Sequence, residues 1–266
     1  RYLAATPWPM KIVSIAIQKG GAGKTTTTVN LAAALRDTGK KCLLIDLDPQ
    51  ASLSQSLGIA DQTEPNVYHL LKREAAGDGA LPEDAILTRC GMDVLPSSLE
   101  LASAELELVS VYGREHVLSQ ILQRLDGKYD YVLLDCPPSI GMLTVNAMVA
   151  SDYLLMPVLA EFLSLKGAKS FLRHLDLMRR LNGKLEVLGF VVTKYDARRT
   201  MTGEVEARLK EDFGSDKVFD ARIRSNVALA KAQQAGVDIF SFESSSNGAV
   251  DYRKLGQEFL NKVREE

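Results

Sequence analysis

The sequence predicts a doubly wound α/β fold built on a mostly parallel sheet, and three observations carry that expectation. Six near-continuous apolar runs recur along the chain, amphipathic segments separate them, and a glycine-rich turn ending in Gly-Lys-Thr follows the first run. Apolar runs without polar alternation mark strands buried on both faces. Helices between such strands make the sheet parallel and put ligands at the carboxyl ends of its strands.

In chain order, IVSIAI (12–17) is the first strand, and a helix is expected over 26–36. KCLLID (41–46) is the second strand, with Asp46 and Asp48 at its end. The stretch 61–81 carries Gly77-Asp78-Gly79 and reads as a loop bulging from the surface. MDVLP (92–96) is the third strand, followed by amphipathic segments at 99–108 and 114–125. YVLLD (131–135) is stopped by Pro137-Pro138, and YLLMPV (153–158) leads into the amphipathic segment 165–181. VLGFVVT (187–193) precedes a last such segment at 202–212. Residues 1–9 (RYLAATPWP) differ from the rest, and Met10-Lys11 before an apolar strand reads as a natural start. Residues 1–9 are therefore expected to be an N-terminal extension and 10–266 a single domain.

With 266 residues, 46% of them hydrophobic, the chain can bury a large core. A formal charge of −2 does not advertise a nucleic-acid partner, although a local patch could serve. Cys42, Cys90 and Cys136 are scattered and lack paired metal spacing, which suits a reducing cytosol. No apolar run spans a bilayer and no secretory signal pattern opens the chain. Acidic residues prevail over 51–110, whereas 166–199 is rich in lysine and arginine. Solvated helix faces account for most such charges, and a clustered basic surface is the alternative.

The turn from Lys19 through Gly20, Gly21, Ala22 and Gly23 to Lys24, Thr25 and Thr26 follows a strand and opens a helix. That is the context a phosphate-binding loop requires. The glycines let backbone N–H groups turn toward phosphate oxygens, and the helix adds its positive N-terminal dipole. Lys24 is placed to reach the β- and γ-phosphates of a nucleotide, and the Thr25 hydroxyl to bind Mg²⁺. Two things depart from the usual G-x-x-x-x-G-K-[ST] pattern: Gln18 replaces its first glycine, and Lys19 adds a second lysine. Asp135, at the end of an apolar strand, suits a magnesium carboxylate. Alternation puts Asp46 and Asp48 on one face, one to orient the loop and the other the attacking water.

QKGGAGKTT (18–26), LLIDLDPQ (43–50) and YVLLDCPPS (131–139) resemble the ParA/MinD family of deviant Walker A ATPases, most closely its ParA (Soj-like) branch. Weaker matches follow in order: LPSSLELASAELEL, MPVLAEFLSLKGAKSF, GFVVTKYDARRT and ARIRSNVALAKAQQAG. The resemblance implies a P-loop fold of the SIMIBI type, ATP and Mg²⁺ as cofactors, ATP hydrolysis and an ATP-dependent sandwich homodimer. It makes Lys19 the signature lysine that crosses the dimer interface to the partner's nucleotide. Two nucleotides of roughly four negative charges each repel when pressed face to face, and a cation from each side offsets that repulsion. Asp48 corresponds to the switch carboxylate that positions water. Thr25, Asp48 and Asp135 form the metal side, and Thr193, Ile223 and Arg224 the adenine side.

The ParA branch further implies non-specific DNA binding by the ATP dimer, with release on hydrolysis stimulated by a ParB-like or other small activating partner. The expected location is the cytoplasm, on the nucleoid. The candidate DNA contacts are Arg198, Arg199, Arg222, Arg224 and Lys231. Many relatives read Arg-Asn-Val-Arg where this chain has Arg224-Ser225-Asn226-Val227-Ala228, one arginine fewer. With its first strand near Met10, the chain is expected to be a short ParA-type protein whose sequence-specific partner is a separate polypeptide. The rival reading is a MinD-like membrane-surface ATPase. It needs a basic amphipathic tail, but DYRKLGQEFLNKVREE ends in two glutamates, and its Tyr252-Leu255-Phe259-Val263 stripe suits a packed terminal helix. An iron–sulfur dimer would use Cys136, for which Cys42 and Cys90 supply no matching ligand set. A metabolic P-loop ligase would need an acceptor pocket that no motif indicates.

Overall fold

The computed structural model describes residues 10–264, so the expected extension at 1–9 lies outside the described residues. The strands are β1 (Lys11–Ile15), β2 (Cys42–Asp46), β3 (Leu87–Arg89), β4 (Met92–Leu95), β5 (Tyr131–Asp135), β6 (Tyr153–Leu159), β7 (Glu186–Tyr195) and β8 (Ile223–Arg224). Among the described residues they form one eight-stranded sheet in the order β3-β4-β2-β5-β1-β6-β7-β8. Every pairing is parallel except β3 with β4. This is the doubly wound, mostly parallel sheet that the apolar runs predict. All six expected strands are present; β3 and β8, of three and two residues, are too short to carry a period.

The helices are α1 (Lys24–Asp37), α2 (Ser52–Ser56), α3 (Val67–Ala75), α4 (Leu101–Glu107), α5 (Val117–Gln123), α6 (Met142–Ala150), α7 (Phe162–Met178), α8 (Thr200–Phe213), α9 (Val227–Gln234), α10 (Ile239–Glu243) and α11 (Asn247–Arg264). The expected loop at 61–81 is corrected: α3 lies inside it. Asn66, fully buried, caps this helix by accepting from the Tyr68 N–H, and Val67, Leu70 and Leu71 pack into the core. The glycines read as a loop signal lie just past the end of α3. Helix α6 has apolar residues nearly all round and therefore shows no stripe to the eye.

Alternation within the strands feeds two cores. Leu43, Ile45, Val132 and Leu134 meet one face, with residues of α3 to α8. Leu44, Tyr131, Leu133, Val13 and Ile15 meet the other, with α1, α9 and α11. Helix α11 lies along α1, and Gly256 permits that approach because an added Cβ would stand 2.9 Å from the Ala34 Cβ. Its Tyr252-Leu255-Phe259-Val263 stripe is buried, with Phe259 edge-on to Tyr131 at 5.3 Å. Polar links join α1 to the same region. Thr27 Oγ1 meets the Tyr252 hydroxyl at 3.3 Å, Asn30 Oδ1 accepts from the Ile239 N–H at 2.8 Å, and Arg36 pairs with buried Asp238 at 3.0 Å. No helix among the described residues is long and apolar enough to cross a membrane.

Candidate nucleotide-binding site

The turn after β1 is a compact loop because two of its residues occupy left-handed backbone. Gly21 has φ 71° and Gly23 φ 87°, where a side chain would be strained. Gly20 does not take a positive φ, so the backbone freedom expected of all three glycines is used at two. Gly23 caps α1 without a side-chain bond, so the first N–H groups of the helix keep no side-chain cap. Lys24 is 8% exposed, and its ammonium donates to the Lys19 carbonyl at 3.5 Å. The loop is braced from outside its own segment. The Thr193 hydroxyl donates to the Ala22 carbonyl at 2.9 Å, and Gln233 Nε2 donates to Thr26 Oγ1 at 3.1 Å.

Sheet register places the acid beside the loop. Asp135 closes β5 opposite Ile15 on one side and Asp46 on the other. Its Oδ2 accepts from Thr25 Oγ1 at 2.6 Å, while its buried Oδ1 has no partner among the described residues. Burial and the neighbouring Asp46 hold the Asp135 carboxyl above the usual carboxylate range, opposed by the Thr25 donor and Lys24. A hydroxyl and a partnerless carboxylate oxygen at one point fit a hydrated divalent cation such as Mg²⁺. Thr25 and Asp135 are the residues that could hold it.

The two acids at the end of β2, Asp46 within it and Asp48 beyond it, part company, contrary to the alternation argument. Asp46 is fully buried and accepts from Ser54 N–H (2.9 Å), Ser54 Oγ (2.7 Å) and Asp48 N–H (3.2 Å). It therefore pins the following segment and makes no hydrogen bond to the phosphate loop. Burial nonetheless raises its pKa. Asp48 is half-buried, its Oδ1 accepting from the Gln50 N–H at 3.0 Å, and it lines the same cleft as the loop. The strand ends at Asp46, so its two-residue period does not extend to Asp48.

A cleft of about 630 Å³ runs over Gly20 to Thr26, Asp48, Lys194 and Gln233. It adjoins a second space of about 420 Å³, more apolar, walled by Thr193, Ile223, Arg224, Val227, Leu229 and Tyr252. Gly23, Thr26, Lys194 and Gln233 line both. A polar compartment over helix N–H groups, continuous with an apolar slot, matches a phosphate chain joined to a flat base. Thr193, Ile223 and Arg224, the expected base-side residues, together line this apolar slot, and Thr193 also supports the loop. Sequence reasoning missed Gln233 and Lys194. Gln233 sits on a helix more than two hundred residues downstream, and Lys194, with φ 50°, is marked only by backbone geometry.

The ammonium of Lys19, on a half-buried residue, makes no hydrogen bond or ion pair among the described residues. The five candidate DNA contacts separate. Arg222 forks onto Glu206 at 2.6 and 2.8 Å and lies over the Tyr195 ring. Arg224 binds Asp251 at 2.7 Å through one guanidinium nitrogen and donates to it through another. Both guanidinium groups pair with carboxylates of low exposure, while the arginine side chains themselves stay 40% and 41% exposed. Arg198 and Arg199 share Asp196 but are 88% and 78% exposed, and Lys231 is exposed. Cys136 is fully buried with its thiol pushed up to about 12 by burial, as is Cys42. Neither is a poised cluster ligand.

A family profile described as an AAA domain matches residues 10–187. The chromosome partitioning protein ParA of Caulobacter vibrioides is 38% identical over 262 residues, covering 97% of this chain and 96% of that protein. The chromosome-partitioning ATPase Soj of Thermus thermophilus is 41% identical over 254 residues, covering 95% and 96%. Among solved structures, cobyrinic acid a,c-diamide synthase from Mycobacterium smegmatis, with bound ADP and magnesium, superposes with a TM-score of 0.83. It is 32% identical and covers 96% of each chain.

Proposed function

The chain belongs to the ParA/MinD family of P-loop ATPases, and from that premise we propose that it is a ParA-type partition or positioning ATPase. It hydrolyses ATP with Mg²⁺, dimerises on ATP, holds non-specific DNA as the dimer, and lets go after hydrolysis stimulated by a ParB-like or other small activator. The observation that carries this reading is the cleft over the glycine-rich loop, continuous with the apolar slot; the loop's Lys19 ammonium has no partner among the described residues. Near-complete coverage of two partitioning relatives at 38 and 41% identity supports it over the amide-forming activity in the M. smegmatis enzyme's name.

In this reading, Lys24 and the N–H groups of Gly21 to Thr26 hold the phosphate chain, and Ile223 and Val227 flank the base. Thr25 and Asp135 hold Mg²⁺, which when bound neutralises charge on the β- and γ-phosphate oxygens. Asp48, on the segment tethered to Asp46 and Ser97, orients the attacking water from the cleft wall. Lys19 offers its ammonium to the nucleotide of a second copy, as a finger supplied in trans. Loss of the γ-phosphate removes much of that attraction and loosens the dimer. Arg198, Arg199 and Lys231 supply the DNA contacts, and the protein resides in the cytoplasm on the nucleoid.

Size-exclusion chromatography of wild type and Lys19→Ala with Mg²⁺ and ATP tests the core of this. The wild type is expected to shift to a dimer, while the variant binds nucleotide and stays monomeric. An ATP-dependent dimer surviving in Lys19→Ala overturns the assignment. The membrane-surface alternative is disfavoured by the burial of the α11 stripe; pelleting with liposomes and ATP separates the two readings.

A further inference from the structure

We propose that Glu64, His69 and Glu100 form a second cation site, separate from the nucleotide cleft, that takes a divalent transition metal of the zinc class. The ligand atoms of these three side chains all lie within 4.8 Å of one another. His69 Nε2 stands 3.8 Å from Glu64 Oε2. Metal–ligand distances of about 2.0–2.2 Å place neighbouring donors roughly 3–3.5 Å apart, so rotation of exposed glutamate side chains closes the set. No lysine or arginine among the described residues pairs with Glu64 or Glu100. Lys72, which feels the Glu100 charge, is hydrogen-bonded to the Tyr68 hydroxyl rather than to either glutamate. Two carboxylates so close to one another, without a cationic partner, attract a cation.

The histidine is prepared for metal by what holds its other nitrogen. Asn66 is fully buried. Its amide N donates to the Thr63 carbonyl, and its Oδ1 accepts from the Tyr68 N–H, which fixes the carbonyl end. His69 Nδ1 lies 3.1 Å from that oxygen and must therefore carry the proton. The neutral imidazole then presents its Nε2 lone pair toward Glu64, the arrangement that orients metal-binding histidines. A second, independent observation points to an occupant. Glu64, Asn66 and Glu100 line a cavity of about 610 Å³ that Ser98 also lines. Ser98 is 5% exposed, and its hydroxyl has no partner among the described residues. An unpaired buried hydroxyl beside a ligand cluster suits a metal-bound water or carboxylate.

An imidazole with two carboxylates favours zinc over magnesium, which prefers oxygen alone. The full chain is dialysed against ZnCl₂ in excess Mg²⁺, which occupies oxygen-only sites, and bound zinc is measured per chain. Wild type is expected to retain one zinc per chain. His69→Gln and, separately, Glu100→Gln should weaken it by about tenfold or more, with thermal unfolding of the metal-free proteins unchanged. Failure of the wild type to retain zinc, or zinc binding in His69→Gln equal to wild type, overturns the proposal. Neither outcome bears on the ATP-dependent dimer, so this site and the nucleotide reading stand or fall separately.

Discussion

Thr25→Ala probes the link between the metal corner and the fold most directly. The lost hydroxyl donates at 2.6 Å to a buried carboxylate whose other oxygen has no partner among the described residues, so the variant leaves the Asp135 carboxylate with none among them. A hydrogen bond to a charged group contributes about 1.5–3 kcal/mol, and a neutral one about 1 kcal/mol. The pH dependence has a definite sign. Asp135 titrates above the usual carboxylate value because of burial and Asp46. Stability is therefore lost as pH rises from about 4, where the unfolded chain ionises, through the higher folded value. Removing the Thr25 donor raises that folded value further, so the variant's deficit widens with pH. It is expected to be about 1 kcal/mol at pH 5 and about 2–3 kcal/mol at pH 8.5, the latter a Tm decrease of roughly 4–12 °C for a chain of this size. Urea unfolding followed by circular dichroism measures both. In the same titrations, Mg²⁺ with ATP at 100 times Kd should stabilise wild type by about 2.7 kcal/mol and the variant far less. A deficit that is constant or shrinks as pH rises refutes the electrostatic account, and full retention of the Mg²⁺-dependent gain removes Thr25 from the metal site.

Asp48→Ala should cut ATP turnover by about 100-fold or more while leaving an ATP-bound dimer on the sizing column; wild-type turnover would exclude Asp48 from the reaction. Replacing Arg198 and Arg199 together by alanine should weaken ATP-dependent DNA binding alike on unrelated sequences. It should also lower the logarithmic salt slope by about 2, and an unchanged slope in gel shifts would clear both residues. Phe259→Ala removes a fully buried ring edge-on to Tyr131 and should cost about 3–5 kcal/mol in urea unfolding. A loss below about 1 kcal/mol would contradict the core position of α11.

The parts of the fold that could be read from the residues are those that advertise themselves locally. A both-sides-buried strand is a run of Val, Ile and Leu, and the phosphate loop is marked by glycines, Lys24 and Thr25 because its backbone geometry admits little else. Helix α3 was hidden because its only cap signal, Asn66, sits in a stretch dominated by turn residues, and the helix is just nine residues long. The roles of Asp46 and Asp48 could not be separated by periodicity, since the strand stops between them. Arg222 and Arg224 read as free cations because their partners, Glu206 and Asp251, lie 16 and 27 residues away. Gln233 was invisible for the same reason: long-range pairing is a product of the assembled sheet and helices, not of neighbouring residues.

The links between α1 and the last third of the chain set the limits of any cassette cut from this protein. The matched family region closes at residue 187, and it contains the whole phosphate loop, Asp48 and Asp135. Yet Thr26, Thr27, Asn30 and Arg36 rest on Gln233, Tyr252, Ile239 and Asp238. A graft ending at that boundary would carry the whole glycine-rich loop and its neighbouring acids while leaving the helix behind them with bare polar stubs and an uncovered flank. The nucleotide machinery is transplantable only as the entire chain from β1 to α11.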